Sequence, residues 1–237
     1  MNVIKYSYKN QRHCQLTAHF KVFEFASLSG SKLYSDEILI DSGLVLMLEK
    51  LFSTLKASKC IITSGYRTPA HDKAVGGNGR GQHTKGTAVD CYFLDKKGNR
   101  ISSKIISCVA QDMGFNGIAN INSSYTTIHL DTGNRSKKYL GDETKGTNSV
   151  TTDFYKYYGY TRAQIKKITG VSVISYYGKV ASSFTSLVDA LKFIKVDSSR
   201  NYRAKIAKAN GITIYTGTSN QNTKLLNLLK QGKLIKP

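Results

Sequence analysis

Apolar positions along the chain fall into short runs with two periodicities. Over residues 38–52, Leu44, Met47, Leu48 and Leu51 recur at helical spacing, and Asp41 or Ser42 is available to cap the start. Residues 59–63 are short, apolar and β-branched, which predicts a strand. Residues 87–94 predict a buried strand that stops at the turn-forming run 95–99. Residues 102–113 predict a helix ended by Gly114, and residues 125–131 alternate as a strand does. Helix and strand follow one another irregularly, with no glycine-rich phosphate loop, so the class is α+β.

Beyond residue 153 the pattern changes to short helices. Thr161 and Gln164 have capping-box spacing, and Gly170 can end that helix. Residues 186–194 put Leu187, Leu191 and Ile194 on one face, and residues 199–210 do the same for Tyr202, Ile206 and Ala209. Residues 219–231 carry Leu225, Leu226, Leu228 and Leu229 and stop at Gly232. Residues 171–177 are read as an added strand. The stretch 143–153 is polar, without apolar periodicity, and reads as a linker. The expected organisation is a first domain over residues 1–142, a linker over 143–153, and a small, mainly helical domain over 154–237.

Composition narrows the setting. The 237 residues are 40% hydrophobic, and no apolar run reaches the roughly 18 residues a membrane-spanning helix needs, so no membrane insertion is expected. The first ten residues lack the apolar segment of a secretory signal, which implies a chain held in the cytoplasm until something releases it. Cys14, Cys60, Cys91 and Cys108 form no C-x-x-C pair and read as free thiols. The net charge of +20 favours anionic partners such as nucleic acid, anionic lipid or anionic wall polymers, and cannot choose among them. Asp189 and Asp197 are the only acids after residue 153. With no nucleic-acid motif, and with basic residues not gathered on one helix, nucleic acid ranks last.

Candidate chemistry lies in three segments: 64–72, 82–90 and 128–131. His83, Asp90 and His129 are two imidazoles and a carboxylate, a donor set suited to catalytic zinc with one position left for water. Gly86, followed by Thr87 and Ala88, lets the His83 loop fold back toward the strand that bears Asp90. Spacing alone leaves a second reading open, in which the histidines are hydrogen-bonded structural residues and Asp90 caps a loop.

The run Arg80-Gly81-Gln82-His83-Thr84-Lys85-Gly86-Thr87-Ala88-Val89-Asp90 resembles the S-x-H-x-x-G-x-A-x-D signature of the zinc D-Ala-D-Ala carboxypeptidase and L-alanyl-D-glutamate peptidase family, with Gly81 at the serine position. Ser64-Gly65-Tyr66-Arg67-Thr68-Pro69-Ala70-His71 is similar to the same family's first motif, and residues 19–25 also resemble this branch. The resemblance spans roughly residues 19–135. It implies a Hedgehog/DD-peptidase fold, zinc held by His83, Asp90 and His129, and Arg67 on substrate or on the developing oxyanion. His71 and Tyr125 are added as substrate-binding candidates. The family's general base resembles an acid three residues before the last ligand, and here Thr126 stands there. Asp131, two residues past His129 and on the same strand face, is a candidate for the base or for an orienter of an imidazole, with His71 and Asp72 as alternatives. The missing acid also leaves room for a zinc-containing but catalytically silent module. His13 and His19 lie outside these motifs and read as structural.

Residues 183–237 resemble the C-terminal module of clostridial phage endolysins and autolysins, through the run 201–211, Tyr215-Thr216-Gly217-Thr218, residues 221–226 and the closing 230–237. That implies a wall-binding role, the peptidoglycan of a Gram-positive, clostridial host as partner, and anionic wall polymers as a further contact. Tyr202 and Tyr215 are read either as sugar-stacking faces or as core residues. A phage endolysin waiting in the host cytoplasm, and reaching the wall only after release, fits the absence of a signal segment.

Overall fold

The computed structural model describes residues 2–169 and 176–237. The chain divides into two compact units, Met1–Val173 and Ile174–Pro237.

The first unit opens with β1 (Val3–Ser7), a short α1 (Tyr8–Gln11), the small hairpin β2 (Leu28–Ser29) and β3 (Lys32–Leu33), then β4 (Glu37–Asp41) and α2 (Ser42–Thr54). The 38–52 helix expectation is corrected at its start. Ile38 and Ile40 alternate as buried strand residues and pair antiparallel with Tyr6 and Ile4. Asp41 ends that strand and caps the helix, accepting a hydrogen bond from the Leu44 amide at 3.3 Å.

Next come β5 (Lys59–Ser64), α3 (Pro69–Ala74), β6 (Ala88–Leu94), α4 (Ser103–Met113), β7 (Gly117–Asn120), β8 (Ile128–Asp131) and β9 (Tyr139–Asp142). Among the described residues these strands form one five-stranded sheet in the order β5-β6-β8-β7-β9, antiparallel except for the parallel pair β7 and β9. Strand periodicity sorts its two faces. Val89, Cys91 and Phe93 of β6, Ile118 of β7, Ile128 and Leu130 of β8, and Leu140 of β9 point into the core that α2 and α4 cover. The opposite face carries Asp90, His129, Ala119 and Gly141 in one register row.

β8 is shorter than the 125–131 strand expected. Tyr125 has φ +53°, and the Asn122 Oδ1 accepts from the amides of Thr126 and Thr127 at 2.9 and 3.1 Å. A side chain that satisfies those amides removes them from strand pairing.

The 143–153 linker and the boundary at 154 also differ from expectation. Residues 143–153 turn back along β9, with the Val150 amide on the Leu140 carbonyl at 2.8 Å. The helices α5 (Phe154–Tyr158) and α6 (Arg162–Thr169) belong to the first unit. Phe154, Tyr155 and Ile165 join its core. Gln111 of α4 accepts from the Phe154 amide at 2.7 Å, and Asp112 takes both the Tyr155 hydroxyl and the Arg162 guanidinium. The shift toward basic composition at 154 is a surface property and does not mark where one core ends. The capping pair Thr161 and Gln164 is present, with each backbone amide on the other's side chain.

The second unit holds α7 (Leu187–Phe193), α8 (Arg200–Ala209) and α9 (Ser219–Gln231), capped by Ser186, Ser199 and Thr218 and packed through Leu187, Leu191, Ile206, Leu225 and Leu229. Tyr202 and Tyr215 are partly buried against that core, and the Tyr215 hydroxyl donates to Asn222. Of the strand expected over 171–177, residues 171–175 lie outside the described residues, and Tyr176 makes an isolated bridge to Ile235. The four cysteines are free, with Cys60, Cys91 and Cys108 buried.

Candidate metal centre

β6 and β8 bring Asp90 and His129 opposite one another, as direct register partners. His83 arrives from a short 3-10 turn, His83–Lys85, that ends at Gly86. Gly86 has φ +69°, and a Cβ there would lie 2.4 Å from the Leu39 carbonyl oxygen, so only glycine lets the loop close against β4.

His83 Nδ1 lies 2.7 Å from the Gly65 carbonyl oxygen, to which it donates its proton, and Nε2 is thereby free as a lone-pair donor. That Nε2 is 3.3 Å from Asp90 Oδ1 and 3.3 Å from His129 Nδ1, and His129 Nδ1 is 2.9 Å from Asp90 Oδ1. A tetrahedral zinc with bonds near 2.0–2.1 Å places its ligand atoms about 3.3 Å apart. The three donors therefore fit such an ion with little movement, and they form a group that could hold a metal.

Two partners fix this triangle from outside. Arg67 spans Asp90 Oδ2 at 2.8 Å, Ser64 Oγ at 2.7 Å and Asp72 Oδ1 at 3.4 Å. Asp131 is fully buried behind His129, with Oδ2 3.2 Å from Nε2, and its carboxylate also accepts from the Arg135 guanidinium and the Gly133 amide. Gly117 makes room for it, since a Cβ there would sit 1.8 Å from Asp131 Oδ2.

Electrostatics follow from this packing. Burial alone would raise the Asp90 pKa, but hydrogen bonds and charge from His129 and His83 hold it well below the usual carboxylate range. Burial alone would lower the His129 pKa, but its hydrogen bonds to Asp131 and Asp90 lift it to about 10. The raised pKa favours a proton on His129 in the metal-free chain, and a metal that took Nδ1 would displace it.

The triangle faces an open cavity of about 460 Å³, whose wall includes Arg67, Gln82, Arg135, Tyr139 and Glu143. Of the residues expected at the site, Arg67, His83, Asp90 and His129 converge here. Asp131 supports His129 and does not reach the cavity. His71 is buried outside the lining, stacked on Tyr34 with ring centroids 4.0 Å apart and bonded to Ser27 Oγ. Tyr125 also lies off the lining and gives its hydroxyl to Asp142 Oδ2 at 3.1 Å. Sequence reasoning missed Arg135, Tyr139 and Glu143. They come from β9 and its flanks, where only the strand pairing brings them to the site.

Residues 20–131 match the family described as Peptidase M15. The match spans 112 of the 237 residues. The matched span contains the whole His83, Asp90 and His129 group, together with Arg67 and Asp131, while Arg135, Tyr139 and Glu143 fall outside it. The chain is also 50% identical over 46 residues to the endolysin of Listeria phage A511, a stretch covering 19% of this chain and 14% of that protein. It is 51% identical over 47 residues to the L-alanyl-D-glutamate peptidase of Listeria phage A118, covering 20% of this chain and 17% of that one. The chain thus spans less than a fifth of the length of either curated relative. No helix among the described residues is long and apolar enough to cross a membrane.

Proposed function

We propose that the chain is an endolysin-type zinc metallopeptidase that hydrolyses peptide bonds in the stem or cross-link peptides of bacterial peptidoglycan. The observation that carries this reading is the triangle of His83 Nε2, Asp90 Oδ1 and His129 Nδ1, spaced as tetrahedral zinc requires and open on its fourth side to a cavity. A zinc ion bound there would polarise the scissile carbonyl and make an attacking hydroxide accessible near neutral pH. Arg67 and Arg135 give the cavity two guanidiniums, which suit the carboxylates of a stem peptide. Asp131 is a positioning residue for His129. The names of the two phage relatives, an endolysin and an L-alanyl-D-glutamate peptidase, agree with cleavage of a wall peptide.

The C-terminal unit is proposed as a wall-binding module whose basic surface meets anionic wall polymers. The clostridial assignment of its host rests on the sequence resemblance of residues 183–237 alone. A second reading, a zinc-containing wall binder without catalysis, is favoured by Thr126 at the position of the family's acid.

Incubating the full chain with purified Gram-positive peptidoglycan, with and without a chelator, followed by mass analysis of soluble fragments, separates these readings. Chelator-sensitive fragments with new amino termini support the peptidase and their masses name the bond. Intact wall that carries the protein down on sedimentation supports the silent binder.

A further inference from the structure

Peptide hydrolysis needs a group that accepts a proton from the attacking water and returns one to the leaving amine. Several acids or imidazoles near the metal centre are committed elsewhere. Asp90 gives one oxygen to the donor triangle and the other to Arg67. Asp131 is fully buried under His129 and Arg135. Asp72 is 4% exposed and holds Arg67 and the Gly79 amide. Thr126 has its hydroxyl in the loop network of Asn122 and Arg100. Among the described residues, Asp90 and Glu143 are the carboxylates that line the cavity.

The sheet explains how Glu143 gets there. His129 pairs with Ala119, and Ala119 pairs with Gly141, so the three share a row and a face. Two residues further along, Glu143 lies on the same face, because strand side chains alternate. Its amide donates to the Asn120 carbonyl at 2.8 Å, so the backbone stays on the edge of the sheet past the end of β9. Asp142 points the other way and is fully buried, where it accepts from Asn120, Tyr125 and Thr144 and fixes the turn. Ala119 and Gly141 are small, and the Tyr139 ring lies over Gly141, where a Cβ would sit 2.5 Å from its hydroxyl.

We propose that Glu143 is the proton-transfer carboxylate of this site, standing in for the acid that Thr126 replaces. The assignment rests on the peptidase reading above. Glu143 removes a proton from the water as its oxygen bonds to the scissile carbonyl carbon, and the carbonyl π pair moves onto oxygen. That pair then re-forms the carbonyl as the C–N bond breaks, and the protonated Glu143 delivers its proton to the departing nitrogen. Water is consumed, one carboxyl and one amine are formed, and Glu143 ends as it began. Partial loss of water around the cavity wall pushes the Glu143 pKa up, against the pull of the His129 charge and with that of Asp90. A base shifted in this direction is better matched to neutral pH.

The test compares the full chain with Glu143→Gln. Zinc content and affinity are read by chelator competition, and hydrolysis of a soluble stem-peptide fragment is followed across pH. The expected result is unchanged zinc binding, unchanged KM, a kcat lower by about 100- to 10,000-fold, and loss of the acid limb of the kcat/KM profile. A kcat within about threefold of the parent overturns the assignment. So does a raised KM with kcat kept, which would make Glu143 a binder of substrate amine, and so does lost zinc, which would make it a ligand or a support. A zinc-loaded parent that cleaves nothing overturns the peptidase reading itself and this inference with it.

Discussion

Nε2 of His129 lies 3.2 Å from Asp131 Oδ2, while Nδ1 of the same ring lies 2.9 Å from Asp90 Oδ1. The imidazole is held between two carboxylates, and the buried one decides which nitrogen carries the proton when a metal takes the other. Carboxylates in this role typically change metal affinity by about 10- to 100-fold. Asp131→Asn is therefore expected to weaken zinc binding by that factor in a competition titration, with the ligand set intact. Unchanged affinity would leave Asp131 only the task of neutralising Arg135.

Gly117 offers an independent route to the same effect. A methyl group there would collide with Asp131 Oδ2, so Gly117→Ala must push the carboxylate aside or bend β7. Zinc affinity should fall in the direction of Asp131→Asn, with a stability loss of about 1–3 kcal/mol. Calorimetry with and without zinc reads both. A variant that binds zinc as the parent does would mean the carboxylate can move without consequence.

Metal removal should be visible in stability. Zinc at about 100 times its Kd stabilises the folded state by about 2.7 kcal/mol, which for a unit of this size is a rise of roughly 5–10 °C in the midpoint. His83→Ala should abolish the zinc-dependent part of that rise. A shift that persists in His83→Ala would place the ion elsewhere.

Asp142 predicts a dependence on pH. Burial acts to raise its pKa, but hydrogen bonds from Thr144, Asn120 and Tyr125 outweigh it and the folded-state pKa is lowered from 3.8. A depressed carboxyl contributes stability that is complete above its unfolded pKa and is lost as pH falls through the folded value. Asp142→Asn should cost about 1–3 kcal/mol at neutral pH. The gap between the two unfolding midpoints should then narrow as pH drops below about 4. A gap that stays constant into acid would remove the charge from the explanation.

The candidate metal centre was legible because its parts are local. His83 and Asp90 sit seven residues apart across a glycine that folds the loop back, and Asp131 follows His129 on one strand face. The helices of the second unit were legible from apolar spacing and caps such as Thr218. Glu143 was not, because it reaches the site through the pairing of β9 with β7, and no periodicity along the chain encodes which strands lie side by side. Its polar surroundings read as a linker for the same reason. Phe154, Tyr155 and Ile165 belong to the first unit's core although the chain turns basic at 154, because surface charge does not locate a core. Ile38 and Ile40 alternate as a strand does, yet Ile40 also stands four residues before Leu44 and so fits the helical spacing as well.

Arg67 occupies Oδ2 of Asp90 and so leaves Oδ1 alone to face the two imidazoles. Asp90 is restricted to one-oxygen ligation, and the donor set becomes two nitrogens and a single oxygen. Calcium seeks six to eight oxygens, and magnesium seeks an octahedron of hard donors. Neither finds them here, whereas zinc does not need them. The guanidinium thus leaves a donor set that would suit zinc better than calcium or magnesium.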